Sequence, residues 1–250
     1  MRIKISFIRD QVSSNSIPLH HQISIYRSLK DFITRLPDTK TFVNYSSLKG
    51  TSSVQNGYIR FLSSKITLVI SSNNDEYANW IVNAIFEQPS IQIGKLNLIP
   101  KYHHVVPEPE YKTQMKYVCI SPLLLIDPDR NPERAEEQIE PTSQEFSDIL
   151  YDSLIERMEL AGYSEEELTQ FEVFEAIPDA SYLAKIAEGN KKFARIYKNL
   201  EGKLVLGYLL PFSLHAHPKV HQFVWNAGIG VLTDYGYGMI DVVPEPSTLT

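Results

Sequence analysis

The chain has 250 residues, of which 43% are hydrophobic, and its formal net charge is −6. This composition supplies an ordinary globular core, which excludes a disordered protein, and its apolar runs are shorter than the about 18–20 residues of a membrane span. The N-terminus lacks the long apolar region of a signal peptide, and the single cysteine, Cys119, excludes an internal disulfide, so we expect a cytoplasmic protein without a membrane partner.

The first half of the chain predicts the element order β-α-β-β-α-β. Hydrophobic periodicity and turn residues indicate, in chain order, a strand at 2–8, a helix at 19–36, a hairpin at 57–72 with a Ser-Ser turn, a helix at 74–88 and a strand at 91–102. This is the order of the split βαβ unit, in which two helices cover one face of a four-stranded antiparallel sheet. The first strand alternates basic and apolar residues, so its polar face is basic.

The second half repeats this order. The predicted segments are a strand at 116–126, an acidic linker, a helix at 142–162, strands at 171–177, 192–199 and 203–214, a short helix at 218–227 and a last strand at 238–243. The sequence therefore predicts an α+β fold of two tandem ferredoxin-like (RRM-like) βαββαβ domains. We place the N-terminal domain at 1–112 and the C-terminal domain at 113–250.

The charge is strongly segregated along the chain. Residues 1–120 carry a net charge of +6 and residues 191–250 carry +2, whereas residues 121–190 carry −14. The acidic block is typical of a solvated linker and an exposed helix face, so the two basic flanks remain able to meet and bind a polyanion. We expect a basic groove between the halves, with the acidic residues 127–188, including Glu165, Glu166 and Glu167, turned away from it.

Four glycines stand just before the last strand, in the stretch "WNAGIGVLTDYGYGM". They form two G-x-G pairs separated by five residues: Gly228, Gly230, Gly236 and Gly238. Because glycine costs backbone entropy, so many in one loop suggest a close approach to the main chain or turns with positive φ. Two interpretations remain open at this point, a tight helix-to-strand connection and a cradle of backbone N–H groups for a phosphate.

Several segments together resemble the CRISPR repeat-processing endoribonucleases of the RAMP superfamily. These segments are "IPLHHQISIYRSL", "ISPLLL", "KKFARIYK" and "AGIGVLTDYGYGM", and the glycine arrangement is the most specific of them. The resemblance implies a protein that binds the repeat of a CRISPR transcript and cuts it without a metal ion or other cofactor, leaving a 2′,3′-cyclic phosphate and a 5′-hydroxyl. The alternative is a non-catalytic repeat-binding protein or a subunit of a CRISPR effector complex. Either would be a monomer or homodimer.

The chain departs from the family in two places. The glycine loop contains Thr233 and Asp234 where the family usually has Asn or Arg/Lys with Ser, and an aspartate there would repel phosphates. The segment 42–50 contains Ser46 and Ser47 where most members carry a histidine. The general base must therefore come from elsewhere, or the chain has none.

Cleavage by a ribose 2′-hydroxyl needs a base, an acid and positively charged groups beside the negative transition state. Histidine suits the acid–base roles because its ordinary pKa is near neutral. The candidate catalytic residues are His20, His21, Tyr26, Lys30, Ser46 and Lys49, with Ser46, Ser47 and Lys49 expected to orient the phosphate. In the alternative interpretation one of the two histidines packs the helix start and the other is simply exposed.

A basic strand is the candidate RNA-binding surface, together with the four glycines. It contains Lys191, Lys192, Arg195 and Lys198, with Phe193 and Tyr197 interleaved. Such a strand can pair with phosphates and stack an unpaired base, although an ordinary solvated hairpin has the same pattern. Two further histidine groups are interpreted structurally: a linker position for His103 and His104, and helix entry or surface exposure rather than a metal site for His215, His217 and His221.

Overall fold

The computed structural model describes residues 1–125, 139–189, 194–198, 202 and 204–243. These residues form two antiparallel sheets of the ferredoxin-like type, each with a pair of helices in the matching positions, and two smaller sheets. The fold of two tandem ferredoxin-like domains, predicted from the sequence, is thereby confirmed. No helix within the described ranges is long and apolar enough to cross a membrane.

The N-terminal domain is built from residues 2–106. Its elements are β1 Arg2–Arg9, β2 Ser16–Pro18, α1 Gln22–Ile33, β3 Val43–Tyr45, β4 Ser52–Gln55, β5 Tyr58–Phe61, β6 Lys65–Ser72, α2 Asp75–Phe86, β7 Ile91–Ile93 and β8 Leu96–Val106. The main sheet has the order β3-β6-β1-β8-β7, and a small sheet has the order β2-β5-β4. Helix α2 begins where the Asn74 side chain accepts a hydrogen bond from the Tyr77 backbone N–H at 3.0 Å.

The C-terminal domain repeats this topology. Its elements are β9 Gln114–Cys119, β10 Leu123–Leu124, α3 Gln144–Leu160, α4 Glu165–Leu168, β11 Phe174–Pro178, α5 Ala180–Glu188, β12 Ala194–Lys198, β13 Leu204–Tyr208, β14 Pro211–Ala216, α6 Pro218–Ala227 and β15 Ile240–Val242, with short 3-10 helices at Thr169–Phe171 and Thr233–Tyr235. The main sheet has the order β11-β14-β9-β15. An insertion of α5, β12 and β13 follows β11, and its strand β13 pairs with both β10 and β12 in a separate sheet.

Each domain has its own hydrophobic core. In the N-terminal domain, alternate residues of β1 point towards apolar positions spaced four residues apart on α1, and Ile3, Ile5, Ile25 and Leu29 are fully buried there. The C-terminal core forms in the same way around β9, β14, α3 and α6. The predicted boundary at 112/113 falls between the end of β8 at Val106 and the start of β9 at Gln114.

The predicted hairpin at 57–72 is wrong. Strand β5 pairs with β4 across the turn Asn56–Gly57, while β6 pairs with β1 and β3. Asn56 and Gly57 both have positive φ, 50° and 76°. This is the Asn-Gly turn that matches the twist of a two-residue hairpin, whereas two serines favour no such conformation.

Other segments also differ from the sequence prediction. Residues 91–102 lie in the hairpin β7–β8, the described part of the predicted strand 116–126 divides into β9 and β10 in different sheets, residues 204–214 lie in two strands instead of one, and helix α5 is absent from the prediction. His103 and His104 lie in β8, paired with Ile5 and Lys4, and not in a linker. The differences among the strands concern where a strand turns or ends, which apolar periodicity alone does not determine.

Candidate functional site

The glycine loop, residues 228–238, packs inside the protein. All four glycines are buried, and a Cβ at Gly236 would lie 2.1 Å from the Tyr45 ring, while one at Gly238 would lie 1.8 Å from the Ile229 carbonyl oxygen. The protein's own atoms therefore fill the space that glycine leaves open. Their surroundings match the tight helix-to-strand connection, and the RNA contact predicted for Gly228, Gly230, Gly236 and Gly238 stays a prediction.

The loop ties the two domains together. The Asn44 side chain donates a 2.8 Å hydrogen bond to the Tyr237 carbonyl oxygen, and the Gln22 side-chain nitrogen donates to the Gly236 carbonyl oxygen. The Gln22 side-chain oxygen Oε1 in turn accepts a 3.1 Å hydrogen bond from the Ser47 hydroxyl. Since Gln22 is the first residue of α1, these contacts fix the start of that helix, where the candidate histidines lie.

Two arginines, the buried Arg2 and the half-buried Arg157, donate hydrogen bonds to backbone carbonyl oxygens around this loop. Arg157 donates to the carbonyl oxygens of Ala227 and Gly228, the latter at 3.0 Å. Arg2 donates to those of Trp225 and Ile240 at 2.5 and 2.8 Å and stacks on the Trp225 ring at 3.5 Å. Burial lowers the pKa of both guanidinium groups to about 10. Sequence analysis missed both residues because nothing in their local patterns distinguishes a buried arginine from a solvated one.

The structure separates the two candidate histidines. His21 is buried, its Nδ1 lies 3.1 Å from the Leu19 carbonyl oxygen, and its Nε2 accepts a 3.0 Å hydrogen bond from the Leu48 backbone N–H. Both ring nitrogens are therefore occupied by the protein. His20 is exposed, and its ring centroid lies 4.4 Å from that of Tyr197 in the other domain.

The surroundings of the two histidines also set their protonation. Burial lowers the pKa of His21 to about 4. The pKa of His20 lies below its usual value, first because neighbouring groups partly desolvate the ring and second because Arg195 is near. Both imidazoles are consequently neutral at pH 7, but only that of His20 is accessible for proton transfer.

We expect the protein to lose stability as the pH falls, partly because His21 becomes protonated on unfolding. Its pKa is about 4 in the folded protein and about 6.5 when unfolded, so its contribution is complete above pH 6.5 and is lost as the pH falls towards 4. Each proton taken up on unfolding changes stability by about 1.4 kcal/mol per pH unit. Urea unfolding between pH 4 and 7 measures this slope, and H21Q, whose amide can donate and accept, should make it shallower. An unchanged slope would contradict the assignment.

The remaining catalytic candidates occupy different environments. Ser46 is buried and its hydroxyl accepts a 3.0 Å hydrogen bond from the Val69 backbone N–H, so it supports the fold. Tyr26 packs on Tyr235 of the glycine loop at 4.7 Å, and Lys30 lies exposed farther along α1. Lys49 is exposed beside Ser47 at the domain boundary, and desolvation lowers the pKa of its ammonium group.

A cleft between the domains brings several candidates together. A cavity of about 200 Å³ is lined by His21, Ser47 and Lys49 from the N-terminal domain and by Arg195 and Tyr197 from β12. Tyr197 is buried, and Arg195 is exposed. Lys191 and Lys192 lie outside the described residues, and Lys198 is in β12.

The acidic segment does not line this cleft where it is described. Glu165, Glu166 and Glu167 form α4, and Glu167 makes a 3.0 Å ion pair with Lys219. None of the three contributes to the cavities that Arg195 lines. These three glutamates therefore lie outside both cavities, whereas Tyr182, Lys185 and Ile186 of the same block line the larger one.

The histidines near α6 have structural contacts. His217 caps α6 by accepting a 3.2 Å hydrogen bond from the Lys219 backbone N–H, and His221 is buried with its Nδ1 2.9 Å from the Tyr117 hydroxyl. His215 is half-buried in β14. In the part of the chain that the structure describes, no group of three or more His, Cys, Asp or Glu residues is placed to hold a metal ion.

The sequence matches a known family over more than half of its length. Residues 106–242 match the model of the C-terminal part of CRISPR associated protein Cas6. A curated relative from Pyrococcus furiosus, named as a CRISPR-associated endoribonuclease-like protein Cas6, is 22% identical over 188 residues. The match covers 75% of this chain and 72% of that relative.

Solved structures share the fold over nearly the whole chain. A Cas6-related protein from Pyrococcus furiosus has a TM-score of 0.78 at 20% identity, covering 98% of this chain and 99% of that one. A RAMP protein that binds different RNA substrates has a TM-score of 0.76 at 17% identity, covering 98% and 100%. At such low identities the likeness establishes the fold and leaves the chemistry to be argued from the residues themselves.

Proposed function

The chain belongs to the CRISPR-associated Cas6 family, and on that premise we propose that it binds the repeat of a CRISPR transcript and cuts it without a metal ion. A ribose 2′-oxygen attacks the adjacent phosphorus, and the bond from phosphorus to the 5′-oxygen breaks. The products are a 2′,3′-cyclic phosphate and a 5′-hydroxyl. The observation that carries the proposal is the contact of the exposed His20 with Tyr197 of the other domain, because Tyr197 lines the cleft together with Lys49 and Arg195.

His20 is the general base in this mechanism. It is accessible, and its lowered pKa keeps the ring neutral at pH 7, so it can take the proton of the 2′-hydroxyl. The glycine loop contributes by holding Gln22 and thereby the helix start that follows His20. His21, whose nitrogens are both occupied, orients the same turn through Leu19 and Leu48.

Arg195 and Lys49 supply the positive charge. They line the same cavity from opposite domains, where they can neutralise the charge that develops on the phosphoryl oxygens. Desolvation lowers the pKa of Lys49, which makes its ammonium group a better proton donor near neutral pH. We assign Lys49 as the acid that protonates the leaving 5′-oxygen.

One observation favours a repeat-binding protein without cleavage as the second candidate function. Of the two adjacent histidines only His20 is accessible, so the site lacks a second imidazole to serve as acid. Labelled repeat RNA incubated with the protein in EDTA distinguishes the candidates. Cleavage with a cyclic-phosphate end supports the nuclease, and a band shift without cleavage selects the binder or an effector-complex subunit.

We expect R195A to weaken repeat binding and to lower the slope of log affinity against log salt by about 0.7–0.9, the value for one lost phosphate contact. The physical reason is that the variant releases one counterion fewer on binding. Filter binding between 50 and 300 mM salt, on the order of the physiological range, measures the slope. R35A changes an exposed arginine beyond the far end of α1 and should leave it unchanged. An equal slope for R195A and the parent would remove Arg195 from the binding surface.

A further inference from the structure

A second, larger cavity adjoins the cleft. It has a volume of about 810 Å³ and lies between the β4–β5 hairpin with the turn before α1 on one side and the insertion of α5, β12 and β13 on the other. This volume is within the about 300–1,000 Å³ of pockets that enclose a small organic ligand. The proposed base His20 lies at this cavity, but the mechanism proposed above assigns no role to its apolar walls.

Its walls are mainly apolar and include exposed aliphatic side chains on both sides. Val54 on the hairpin is 59% exposed and Ile196 on β12 is 37% exposed. Leu206 and Ile186 form buried parts of the insertion wall. Large aliphatic residues left open to solvent on facing walls are suited to contact both faces of a flat apolar group.

The charges at this cavity suit an anion attached to that flat group. Its polar lining includes His20, Lys185 and Arg195, and none of the described residues that line it is acidic. An apolar slot with cations at its edge matches the chemistry of a nucleotide, whose base is flat and whose phosphate is negative. A purely apolar ligand would leave these cations without a partner.

The two cavities are neighbours that share two lining residues. Leu19 and Arg195 line both the 810 Å³ and the 200 Å³ cavity. A single RNA strand that places a phosphate beside Arg195 and His20 therefore brings its neighbouring nucleotide to the mouth of the larger cavity.

From these observations we infer that the larger cavity binds one unstacked nucleobase of the repeat, next to the phosphate that is cut. This inference rests on the proposed function, because it requires the cleft to hold repeat RNA. The base is held by contact with Val54 and Ile196, and Arg195 holds its phosphate. The pocket thus selects single-stranded RNA at the cleavage position, since a paired base cannot enter it.

The test is a scan of repeat RNAs in which one nucleotide at a time is replaced by an abasic residue. With the parental protein, an abasic residue at one position beside the cleavage site should weaken binding about tenfold, because the apolar contacts of the base with Val54 and Ile196 are lost. In V54S and I196S, an abasic residue at that position should no longer weaken binding, because these variants already lack the contact with the base. Both side chains are exposed, so the serine variants should fold normally. V173S, at a 73% exposed valine outside the cavity, should behave as the parent does.

The outcomes separate this inference from the proposed function. If the parent binds the repeat but no position loses its effect in V54S or I196S, the base pocket is refuted and repeat binding stands. If the parent does not bind the repeat, the proposed function and the base pocket are both refuted. If V173S removes the effect as well, the effect does not report on the cavity and the inference is overturned.

Discussion

H20A is expected to reduce repeat cleavage by about two to four orders of magnitude, the usual contribution of one acid–base group. Binding should remain nearly intact, because phosphate contacts depend on cations such as Arg195, whereas the imidazole is needed to take the 2′-hydroxyl proton. Single-turnover cleavage of labelled repeat RNA in EDTA, with a parallel band-shift measurement, checks both parts. The cleavage rate of the parent should rise with pH around a pKa below 6.5, because His20 acts as the base only when neutral and its pKa is lowered.

The matched control is H103A, which removes another exposed histidine, one on β8 whose ring contacts Phe86. It should cut at the parental rate. If H20A cuts at the parental rate, His20 has a structural role and no residue is assigned as the base. A parent that binds its cognate repeat and never cuts it would make the protein a binder.

G238A is expected to destabilise the protein by about 2–5 kcal/mol, the sum of a left-handed residue with a side chain and an overpacked core. Gly238 has φ of 69°, and an added Cβ would lie 1.8 Å from the Ile229 carbonyl oxygen. The backbone must therefore shift, and the hydrogen bond from the Ile229 N–H to the Gly238 carbonyl oxygen shifts with it. Urea unfolding measures the change in the free energy of unfolding.

G57A separates the two causes of this loss. Gly57 has φ of 76°, close to that of Gly238, but an added Cβ would meet nothing within 4 Å. It should therefore cost only about 1–2 kcal/mol, the price of the left-handed conformation. Equal losses in G57A and G238A would show that close packing around Gly238 contributes nothing, against the interpretation of the glycine loop as a buried connection.

The hairpin of β4 and β5 shows that a turn signal can be a better guide to strand pairing than an alternating pattern. Asn56–Gly57 is a strong hairpin signal, yet the alternating pattern of the next segment led to a turn at two serines. By contrast, the helix predicted at 218–227 matches α6 in both bounds, because a proline starts it and a glycine follows its last residue.

The candidate site was only partly predictable. The pattern of two adjacent histidines before α1 indicated acid–base chemistry but did not distinguish them. Their difference arises from partners distant in sequence: the Leu48 N–H occupies His21, and β12 of the other domain lies beside His20. Arg195 was identified through the basic strand, whereas no local pattern identified the carbonyl contacts of Arg2 and Arg157.

By itself the sequence determined the tandem ferredoxin-like fold, the types of most of its elements and the need for glycine at the loop before β15. Periodicity, capping residues and backbone conformation are local properties, because each depends on a few neighbouring residues. Only the tertiary structure decided what approaches those glycines, namely Tyr45, Asn44 and the Ile229 carbonyl oxygen. Burial and hydrogen-bond partners depend on contacts between segments far apart in the chain, so the accessible histidine and the cleft emerge only when the two domains pack together.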